Sequence, residues 1–424
     1  MVMIKQIVDL HIHSKYARAC SPLLELPNIA KVCERKGIDI CATGDFTHPA
    51  WFEHIKSELT EIGSSGLYQL KNSSSTTKFI LATEISCIYK HKDKVRRVHL
   101  LLLAPSIEAA GKLNVALVSK GVNLRSDGRP IMGLHAKEVL KIMLDLDRRF
   151  MMIPAHAWTP WFAIFGSKSG YDSLEECFEE LTPNICAIET GLSSDPTMNH
   201  RLSRLNNIVL VSNSDAHSLE NLGREANVLA FSSADMISYD GVLDCIRSND
   251  HKKFLYTIEF YPEEGMYHID GHRICQISML PKETKKRKRI CPKCKKELTV
   301  GVLHRVDDLA DVEEADILED NFIPHKYIVP LREIISEAFG VGVKSKKVMA
   351  EYNKLLDQLG NEFKILLDVP LEEIENKVSD KNIFLGIKNM RAGKVKATAG
   401  FDGQYGKIET ISESKKTKLQ SKLF

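Results

Sequence analysis

The sequence predicts an α/β fold built on a closed barrel, followed by a zinc-binding module and a helical C-terminal region. Three observations predict it. Short apolar runs alternate with amphipathic segments over the first part of the chain, and residues able to bind metal follow most of these runs. Closely spaced cysteines come next, and a segment of helical character follows them.

Composition places the chain among globular proteins. It has 424 residues, of which 43% are hydrophobic and 27% charged, and its formal net charge is +2. This length suggests two or three domains. No apolar leader follows a basic start and no apolar run is long enough to span a bilayer, so we expect a cytoplasmic protein that does not bind membranes. The cysteines show no small-domain framework, which indicates mostly reduced thiols rather than a disulfide scaffold.

The barrel prediction depends on the apolar runs and the segments between them. Crossover helices are predicted at Leu26 to Lys36, Ala136 to Leu146 and Leu174 to Leu181, where apolar residues recur every three or four positions. About seven or eight strand–helix repeats over about 250 residues fit a closed barrel of parallel strands better than an open sheet. The runs are residues 4–8, 38–42, 79–82, 98–103, 151–154, 185–188, 208–211 and 227–231.

Two short motifs follow the first and the seventh run. His11 and His13 flank one residue, and Asp215 and His217 repeat this spacing. Residues one apart at a strand end point to the same side, so each pair can reach one metal ion. The alternative is a polar pair at the surface or in the core, and one motif alone does not separate the two interpretations.

Further candidate ligands follow the other runs. Because residues at the carboxyl ends of successive barrel strands converge on one cavity, we expect these side chains to meet. An unrelated polar residue is a plausible alternative for any one of them, but not for all at once. Nitrogen and carboxylate ligands suit zinc, manganese or iron, and so many of them can hold two or three ions, with Glu84 as the bridge. The candidate ligands are His11, His13, Asp45, His48, Glu84, His99, His156, Asp215 and His217, with Glu189 as a candidate for a supporting position.

In this order, the motifs resemble those of the PHP (polymerase and histidinol phosphatase) family of metal-dependent phosphoesterases, over roughly the first 255 residues. One departure is that two residues separate Asp45 from His48, where the family usually has Asp and His adjacent. The resemblance implies a distorted (β/α)7 barrel with two or three divalent ions (zinc, manganese or magnesium).

Within that family, residues 14–19, residues 155–170 and the cysteine module resemble DNA-repair endonucleases. This closer resemblance covers nearly the whole chain. It implies a DNA partner that contains a deaminated base (uracil, hypoxanthine or xanthine) or an abasic site, and a nick on the 5′ side of the lesion. The candidate substrate-binding residues are Arg18, Trp158, Trp161, Lys168 and Ser169, although ordinary core packing is an alternative for the aromatic residues.

The cysteine module predicts one structural zinc ion. His272 and Cys275 form one knuckle, and Cys291 and Cys294 form a second one, so that four ligands on two tight turns can close a tetrahedron. His268 and His304 compete for the histidine position, and reduced thiols on a loop are the alternative to a zinc site. Nine cations crowd the module and predict a phosphate-contacting surface, with plain solvated surface as the alternative. These cations are Lys282, Lys285, Lys286, Arg287, Lys288, Arg289, Lys293, Lys295 and Lys296.

The remaining sequence divides the chain into a barrel over residues 1–258, a zinc module over 259–310 and a C-terminal, helical DNA-binding region over 311–424. The acidic stretch 307–320 is interpreted as a solvated helix face or linker. A helical region is expected from Leu331 to roughly Lys377, and its residues 339–347 resemble a helix-hairpin-helix, with a plain turn as an equal alternative. The terminal residues 420–424 resemble sliding-clamp peptides only loosely.

The sequence thus predicts a metal-dependent DNA endonuclease in which Glu84 and Asp215 are essential for catalysis. We also expect the damaged base to leave the helix and enter a pocket beside the metals, because deaminated bases differ at the pairing edge. Two alternatives remain open. One is a phosphatase of a small phosphorylated metabolite, and the other is a DNA-binding protein with a relic barrel.

Overall fold

The computed structural model describes residues 3–318 and 322–411, so the clamp-like residues 420–424 lie outside the described residues. Within the described residues, no helix is long and apolar enough to cross a membrane. The strands are β1 (Ile4–Asp9), β2 (Ile40–Ala42), β3 (Leu59–Glu61), β4 (Tyr68–Leu70), β5 (Lys78–His91), β6 (Lys94–Ala104), β7 (Ile131–Met132), β8 (Met151–Pro154), β9 (Ala187–Glu189), β10 (Val209–Val211), β11 (Ala226–Phe231), β12 (Phe254–Glu259), β13 (Asp270–His272), β14 (Ile277–Met279), β15 (His325–Tyr327), β16 (Lys396–Thr398) and β17 (Lys407–Glu409). The α-helices are α1 (Leu26–Lys36), α2 (Pro49–Glu58), α3 (Ile107–Ser119), α4 (Ala136–Leu146), α5 (Leu174–Phe178), α6 (Pro196–Asn199), α7 (Tyr239–Ser248), α8 (Pro281–Lys286), α9 (Val302–Leu309), α10 (Leu331–Phe339), α11 (Lys346–Leu359), α12 (Leu371–Glu375) and α13 (Lys381–Arg391).

Seven strands form a ring, in the order β1, β2, β5, β6, β8, β9 and β10. Backbone ladders join β1 to β2, β2 to β5, β5 to β6, β6 to β8, and β9 to β10. Single hydrogen bonds complete the ring: the Ala157 amide donates to the Glu189 carbonyl at 2.9 Å, and the His13 amide donates to the Ala216 carbonyl at 3.1 Å. This arrangement confirms the distorted seven-stranded barrel.

Each of the eight apolar runs overlaps a strand, and the predicted helices α1 and α4 have the expected bounds. Local signals explain α1, which has Pro27 in its first turn and ends at Gly37 in the left-handed region, with φ 91°. The third predicted helix, α5, ends at Phe178, and the chain continues as a 3-10 helix.

The prediction of parallel strands throughout is wrong at β6. Strands β5 and β6 form a long antiparallel hairpin, and β6 is also antiparallel to β8. The hairpin turn has Lys92 and Asp93 at φ 49° and 62°, which is the backbone that a two-residue hairpin turn needs. The turn lacks the glycine that usually marks a hairpin, so the sequence did not distinguish a hairpin from a crossover connection here. Strand β11, the eighth run, lies outside the ring and pairs antiparallel with β1.

The zinc module and the C-terminal region pack onto this barrel. One apolar core extends from the barrel into α10, α11 and α13, whereas the zinc module has a small core of Met279, Cys291 and Leu298. The helical region continues beyond its expected end to Arg391. The acidic stretch begins on α9, where the half-buried Asp307 and the exposed Asp308 form surface ion pairs with Lys285, which agrees with a solvated helix face.

Candidate metal centre and its surroundings

Glu84 lies at the centre of the site, although it sits in the middle of β5 rather than at its end. The side chain is fully buried. Its Oε2 atom lies 3.3 Å from His13 Nε2 and 3.7 Å from His11 Nε2. Its Oε1 atom lies 2.7 Å from His99 Nδ1 and 3.1 Å from His156 Nε2. Each carboxylate oxygen therefore faces a different pair of histidines.

Asp215 completes the group on the Oε2 side. Its Oδ1 atom lies 3.1 Å from His13 Nε2 and 3.7 Å from His11 Nε2. Asp215 adopts a positive φ of 45° after β10, which is a strained backbone for a residue other than glycine. The ligand atoms fall into two groups, each within 4.8 Å, that share Glu84: one with His11, His13 and Asp215, the other with His99 and His156.

Two buried carboxylates, those of Glu189 and Asp45, contact the Nδ1 atoms of His11 and His13. His11 Nδ1 lies 3.0 Å from Glu189 Oε2, and that carboxylate also accepts the His156 amide at 2.8 Å. His13 Nδ1 lies 3.0 Å from Asp45 Oδ1. Because the Nδ1 atoms are engaged, the Nε2 atoms of His11 and His13 face the cavity, which is the orientation that metal ligation requires. The Asp45 carboxylate is outside both ligand groups, since Ser14 occupies its second oxygen at 2.6 Å.

Two other candidate ligands lie at the margin. The His48 ring stacks on Tyr16 at 4.4 Å between centroids and belongs to neither ligand group. His217 Nδ1 lies 2.9 Å from the Asp215 carbonyl, and its ring packs edge-on against His13 at 4.5 Å. His217 therefore lines the centre without being part of the two groups.

Electrostatics favour a bound cation in this centre. Burial opposes ionisation of Glu84, but the charges of His99 and Arg129 outweigh it and hold its pKa well below the usual range. Burial likewise opposes ionisation of Asp215, yet its histidine neighbours lower its pKa. For His11, burial opposes the charged form, while Glu189 and Glu84 raise the pKa well above normal. Several negative charges packed out of water require positive partners, and without a metal the protonated His11 and the Arg129 guanidinium supply them.

Arg129 is a functional candidate that sequence reasoning missed. Its Nη1 atom donates to Glu84 Oε2 at 2.9 Å, and its side chain is 24% exposed. It comes from the loop that precedes the two-residue strand β7, with no motif around it. No sequence signal marked this residue.

The candidate substrate-binding residues divide by burial. Trp158 is buried, packs on Phe165 and donates from Nε1 to Asn199 Oδ1 at 2.7 Å. Trp161 is only half-buried, and its ring lies edge-on to Tyr267 at 5.7 Å between centroids.

The other three also differ in exposure. Arg18 and Lys168 are exposed, whereas Ser169 is buried and its hydroxyl donates to the Arg97 carbonyl at 3.3 Å. Lys168 lines an open cleft of about 770 Å³ together with Lys92 and Lys94.

The cysteine module brings its four candidate ligands together. The ligand atoms of His272, Cys275, Cys291 and Cys294 lie within 4.8 Å of one another. Backbone N–H groups of Cys294 and Lys293 lower the pKa of the Cys291 thiol to about 6, which favours the thiolate that binds metal.

The competing histidines are engaged elsewhere. His304 is buried and pairs with Asp270 through Nδ1 at 2.5 Å. His268 Nδ1 lies 3.2 Å from the Ser193 carbonyl. The module thus has a three-cysteine, one-histidine ligand set built from His272.

Comparison with known proteins identifies relatives of both the whole chain and its parts. The family model of the MJ0043 C-terminal domain matches residues 330–394. The uncharacterized protein YqxK of Bacillus subtilis is 29% identical over 422 residues, which cover 96% of this chain and 100% of YqxK. The uncharacterized protein MJ0043 of Methanocaldococcus jannaschii is 31% identical over 256 residues, which cover 60% of this chain and 31% of MJ0043. The chain therefore spans about a third of the length of MJ0043.

Two solved structures share the fold over the whole length. The lesion-specific endonuclease PfuEndoQ of Pyrococcus furiosus has a TM-score of 0.84, with 29% identity and 99% of each chain covered. A complex of endonuclease Q with a 27-mer duplex that carries an abasic lesion at the active site has the same TM-score and identity, and covers 98% of this chain and 100% of that one.

The fold and the two groups of ligand atoms define the class of this protein as an α/β barrel with a candidate metal centre. More particularly, it has the fold of endonuclease Q from end to end, which confirms the resemblance carried by the sequence motifs.

Proposed function

We propose that this protein is a metal-dependent endonuclease that nicks DNA on the 5′ side of a deaminated base or an abasic site. The observation that carries the proposal is the Glu84 carboxylate, which presents one oxygen to His11, His13 and Asp215 and the other to His99 and His156. A carboxylate shared in this way suits two divalent cations held close together, an arrangement that phosphodiester hydrolysis uses widely.

The donor set fits such ions. His11, His13, Glu84 and Asp215 would hold one ion, and Glu84, His99 and His156 the other, with His217 at the margin for a third. Imidazole and carboxylate ligands without thiolate suit zinc or manganese. When bound, the ions supply a nucleophile at neutral pH and offset charge on the phosphoryl oxygens. Asp45 and Glu189 orient His13 and His11 and keep their Nε2 atoms free for the metal.

Two observations support DNA as the substrate class: the similar solved structures and the basic residues on the zinc module. The two solved structures described above are endonuclease Q proteins, one of them in complex with lesion-containing duplex DNA. Part of the basic run on the zinc module is neutralised, since Lys285 and Arg289 pair with Asp307 and Asp308. Six exposed lysines of this run have no ion-pair partner among the described residues. Lys293 and Lys295 donate to backbone carbonyls, and the other four remain available for phosphates: Lys282, Lys286, Lys288 and Lys296.

In this proposal, each of the three regions of the chain has its own role. Residues 1–258 carry the chemistry, residues 259–310 form a module stabilised by one structural zinc ion, and residues 311–424 add a DNA-binding surface. The turn between α10 and α11 supports this last role, because Gly340 and Gly342 have open space around them where a phosphate can approach the backbone. A sliding clamp remains a loose resemblance without structural support.

We also propose that the damaged nucleotide leaves the helix, since a deaminated base differs from a normal base at its pairing edge, which can be inspected only outside the stack. Trp161 fits a pocket wall better than Trp158 does, because Trp158 is buried, packs on Phe165 and has its indole N–H engaged by Asn199. Arg18 and Lys168, which are exposed, remain candidates for backbone phosphates.

The test is nicking of an end-labelled duplex that contains one deoxyuridine or one abasic site, with an undamaged duplex as the control. Metal-loaded protein should cut only the damaged duplexes on the 5′ side of the lesion. Chelation should stop the reaction and added Mn²⁺ should restore it. Hydrolysis of small phosphate monoesters in the absence of nicking would instead favour a metabolite phosphatase, and binding without any hydrolysis would favour a relic barrel.

A further inference from the structure

A row of aromatic side chains leads out of the metal centre. His156 Nδ1 lies 3.1 Å from Thr159 Oγ1, and that hydroxyl donates to the Trp161 carbonyl at 3.0 Å. The half-buried Trp161 ring packs edge-on against Tyr267 at 5.7 Å, with an interplanar angle of 72°. Tyr267 belongs to the segment that leads from the barrel into the zinc module, so the row crosses from one to the other.

Tyr405 lies on a nearby turn that is held at both ends. The Gly400 amide donates to the Glu263 carbonyl at 2.7 Å, and the Gly406 amide donates to the Glu264 carbonyl at 3.0 Å. A Cβ atom on Gly406 would lie 2.1 Å from the Glu263 carbonyl oxygen, so only glycine permits this close approach. The turn therefore has little freedom to move relative to Glu263 and Glu264, which follow the last strand before the zinc module.

The zinc module holds the same turn from the other side. Asp402 accepts the Arg273 amide at 2.7 Å and the Thr299 hydroxyl at 2.6 Å. The Gly403 amide donates to the Met266 carbonyl at 3.0 Å, and a Cβ on Gly403 would come within 3.7 Å of the Tyr267 hydroxyl and 3.4 Å of the Arg273 guanidinium. Tyr405 follows two residues after Gly403. Burial, the Asp402 carboxylate and Tyr405 raise the pKa of the Tyr267 hydroxyl and Arg273 lowers it, which agrees with Tyr405 lying in the neighbourhood of both residues.

Tyr405 itself is 65% exposed on this fixed backbone. An exposed aromatic ring on a rigid turn loses little conformational freedom when a flat partner stacks on it. Nucleobases are flat partners that every aromatic ring can accept without regard to sequence. The exposed Arg273 beside it supplies the positive charge that a strand of DNA requires.

We propose that Tyr405, together with Tyr267 and Trp161, forms a stacking platform for a nucleobase that has left the duplex next to the cleavage site. Arg273 binds the phosphate attached to that base. This inference rests on the proposed function and adds the surface that holds DNA open while the lesion is in the centre. Removing one stacking ring commonly weakens nucleic-acid binding by about 5- to 150-fold.

The experiment compares three variants in the lesion-nicking assay at saturating metal. Tyr405→Leu keeps an apolar side chain of similar size without a ring, and should raise KM at least about tenfold with kcat and metal content nearly unchanged. Tyr405→Phe, which restores the ring, should recover most of that loss. Val115→Ala, at a 70% exposed position on α3 outside the barrel, is the matched control and should leave KM unchanged.

A second measurement locates the base directly. Duplexes that carry one abasic site and one 5-iodouracil at successive neighbouring positions are bound to the protein and illuminated, and the crosslinked peptide is identified by mass spectrometry. A crosslink to Tyr405 at one position, lost in Tyr405→Leu, supports the platform. If the wild-type protein nicks lesion DNA while Tyr405→Leu keeps its KM and no position crosslinks to Tyr405, the platform is wrong. If the wild-type protein does not nick lesion DNA at all, the proposed function itself fails.

Discussion

The guanidinium of Arg129 lies against the carboxylate of Glu84, with Nη1 2.9 Å from Oε2. That oxygen is the one that faces His11 and His13. The carboxylate raises the pKa of Arg129 still further, so the side chain stays cationic. Its partial exposure leaves the rest of the guanidinium free to meet a second anion at the mouth of the centre.

We expect Arg129 to contact the phosphate that is cut. Arg129→Ala should lower kcat about 10²- to 10³-fold with unchanged metal content, because it removes a donor aimed at developing charge. Arg129→Lys should recover part of that loss. Arg148→Ala is the control, since this exposed arginine precedes β8 at the opposite end of the barrel. If Arg129 merely replaces a cation beside Glu84, Arg129→Ala will bind metal more tightly and nick at the wild-type rate.

The two carboxylates behind the histidines should affect metal affinity rather than chemistry. Asp45→Asn and Glu189→Gln weaken the hydrogen bonds that orient His13 and His11, so each should raise the metal concentration needed for half-maximal nicking about 10- to 100-fold. Saturating metal should restore kcat in both variants. Glu84→Gln should not recover at any metal concentration. Loss of nicking at every metal concentration in Asp45→Asn would instead indicate that Asp45 is itself a ligand.

The cysteine module should unfold locally when it loses its metal. Cys291→Ser should release one zinc equivalent and make the segment 270–300 sensitive to proteolysis, because the binding energy of the metal is the folding energy of such a small module. Weaker and less salt-dependent DNA binding should accompany the loss. Cys186→Ser, at a half-buried thiol in the barrel, is the control. Atomic absorption that finds the same zinc content in Cys291→Ser and wild-type protein would refute a zinc site here.

Glu264 should make the folded protein less stable in alkali. Burial, with a contribution from Glu333, raises the pKa of its carboxyl to about 8. Because this folded-state pKa exceeds the unfolded value of about 4.3, stability is fully present below the unfolded pKa and falls as pH rises through 8. Glu264→Gln keeps an oxygen that can accept the Ile408 amide. From pH 6 to pH 9, its free energy of unfolding should therefore improve by about 1–3 kcal/mol relative to that of the wild-type protein.

Urea unfolding at the two pH values measures this difference. Glu372→Gln, which makes the same exchange at an exposed position of α12, is the control. Equal pH dependence in Glu264→Gln and wild-type protein would contradict the effect of burial.

The ligand groups could be predicted because barrel geometry brings strand ends together. His11, His13 and Asp215 follow two strand ends that the ring places side by side, and their spacing already indicated this. Glu84 and His99 meet for a different reason, since β5 and β6 form a long hairpin with both residues in the middle of their strands. The sequence identifies both residues, but they do not lie at strand ends, where the ligands were expected.

Other features depend on contacts that spacing does not encode. A strand-end aspartate such as Asp45 can bind a metal or orient a histidine, and its contact with His13, which spacing does not encode, supports the second role. Trp158 and Trp161 lie three residues apart on one turn, yet one is in the core and the other faces outward. Arg129 comes from a loop whose path depends on the packing around it, so no local pattern predicts that it reaches Glu84.

The central claim is that Glu84 and Asp215 hold the ions that cut DNA at lesions. The most direct measurement is a nicking time course on a duplex with one deoxyuridine, together with fluorescence-anisotropy binding, for wild-type protein, Glu84→Gln and Asp215→Asn. We predict 5′ nicking by wild-type protein alone, with both variants binding the duplex within about threefold of wild type, because binding depends on other surfaces. Nicking by both variants at the wild-type rate would contradict the account.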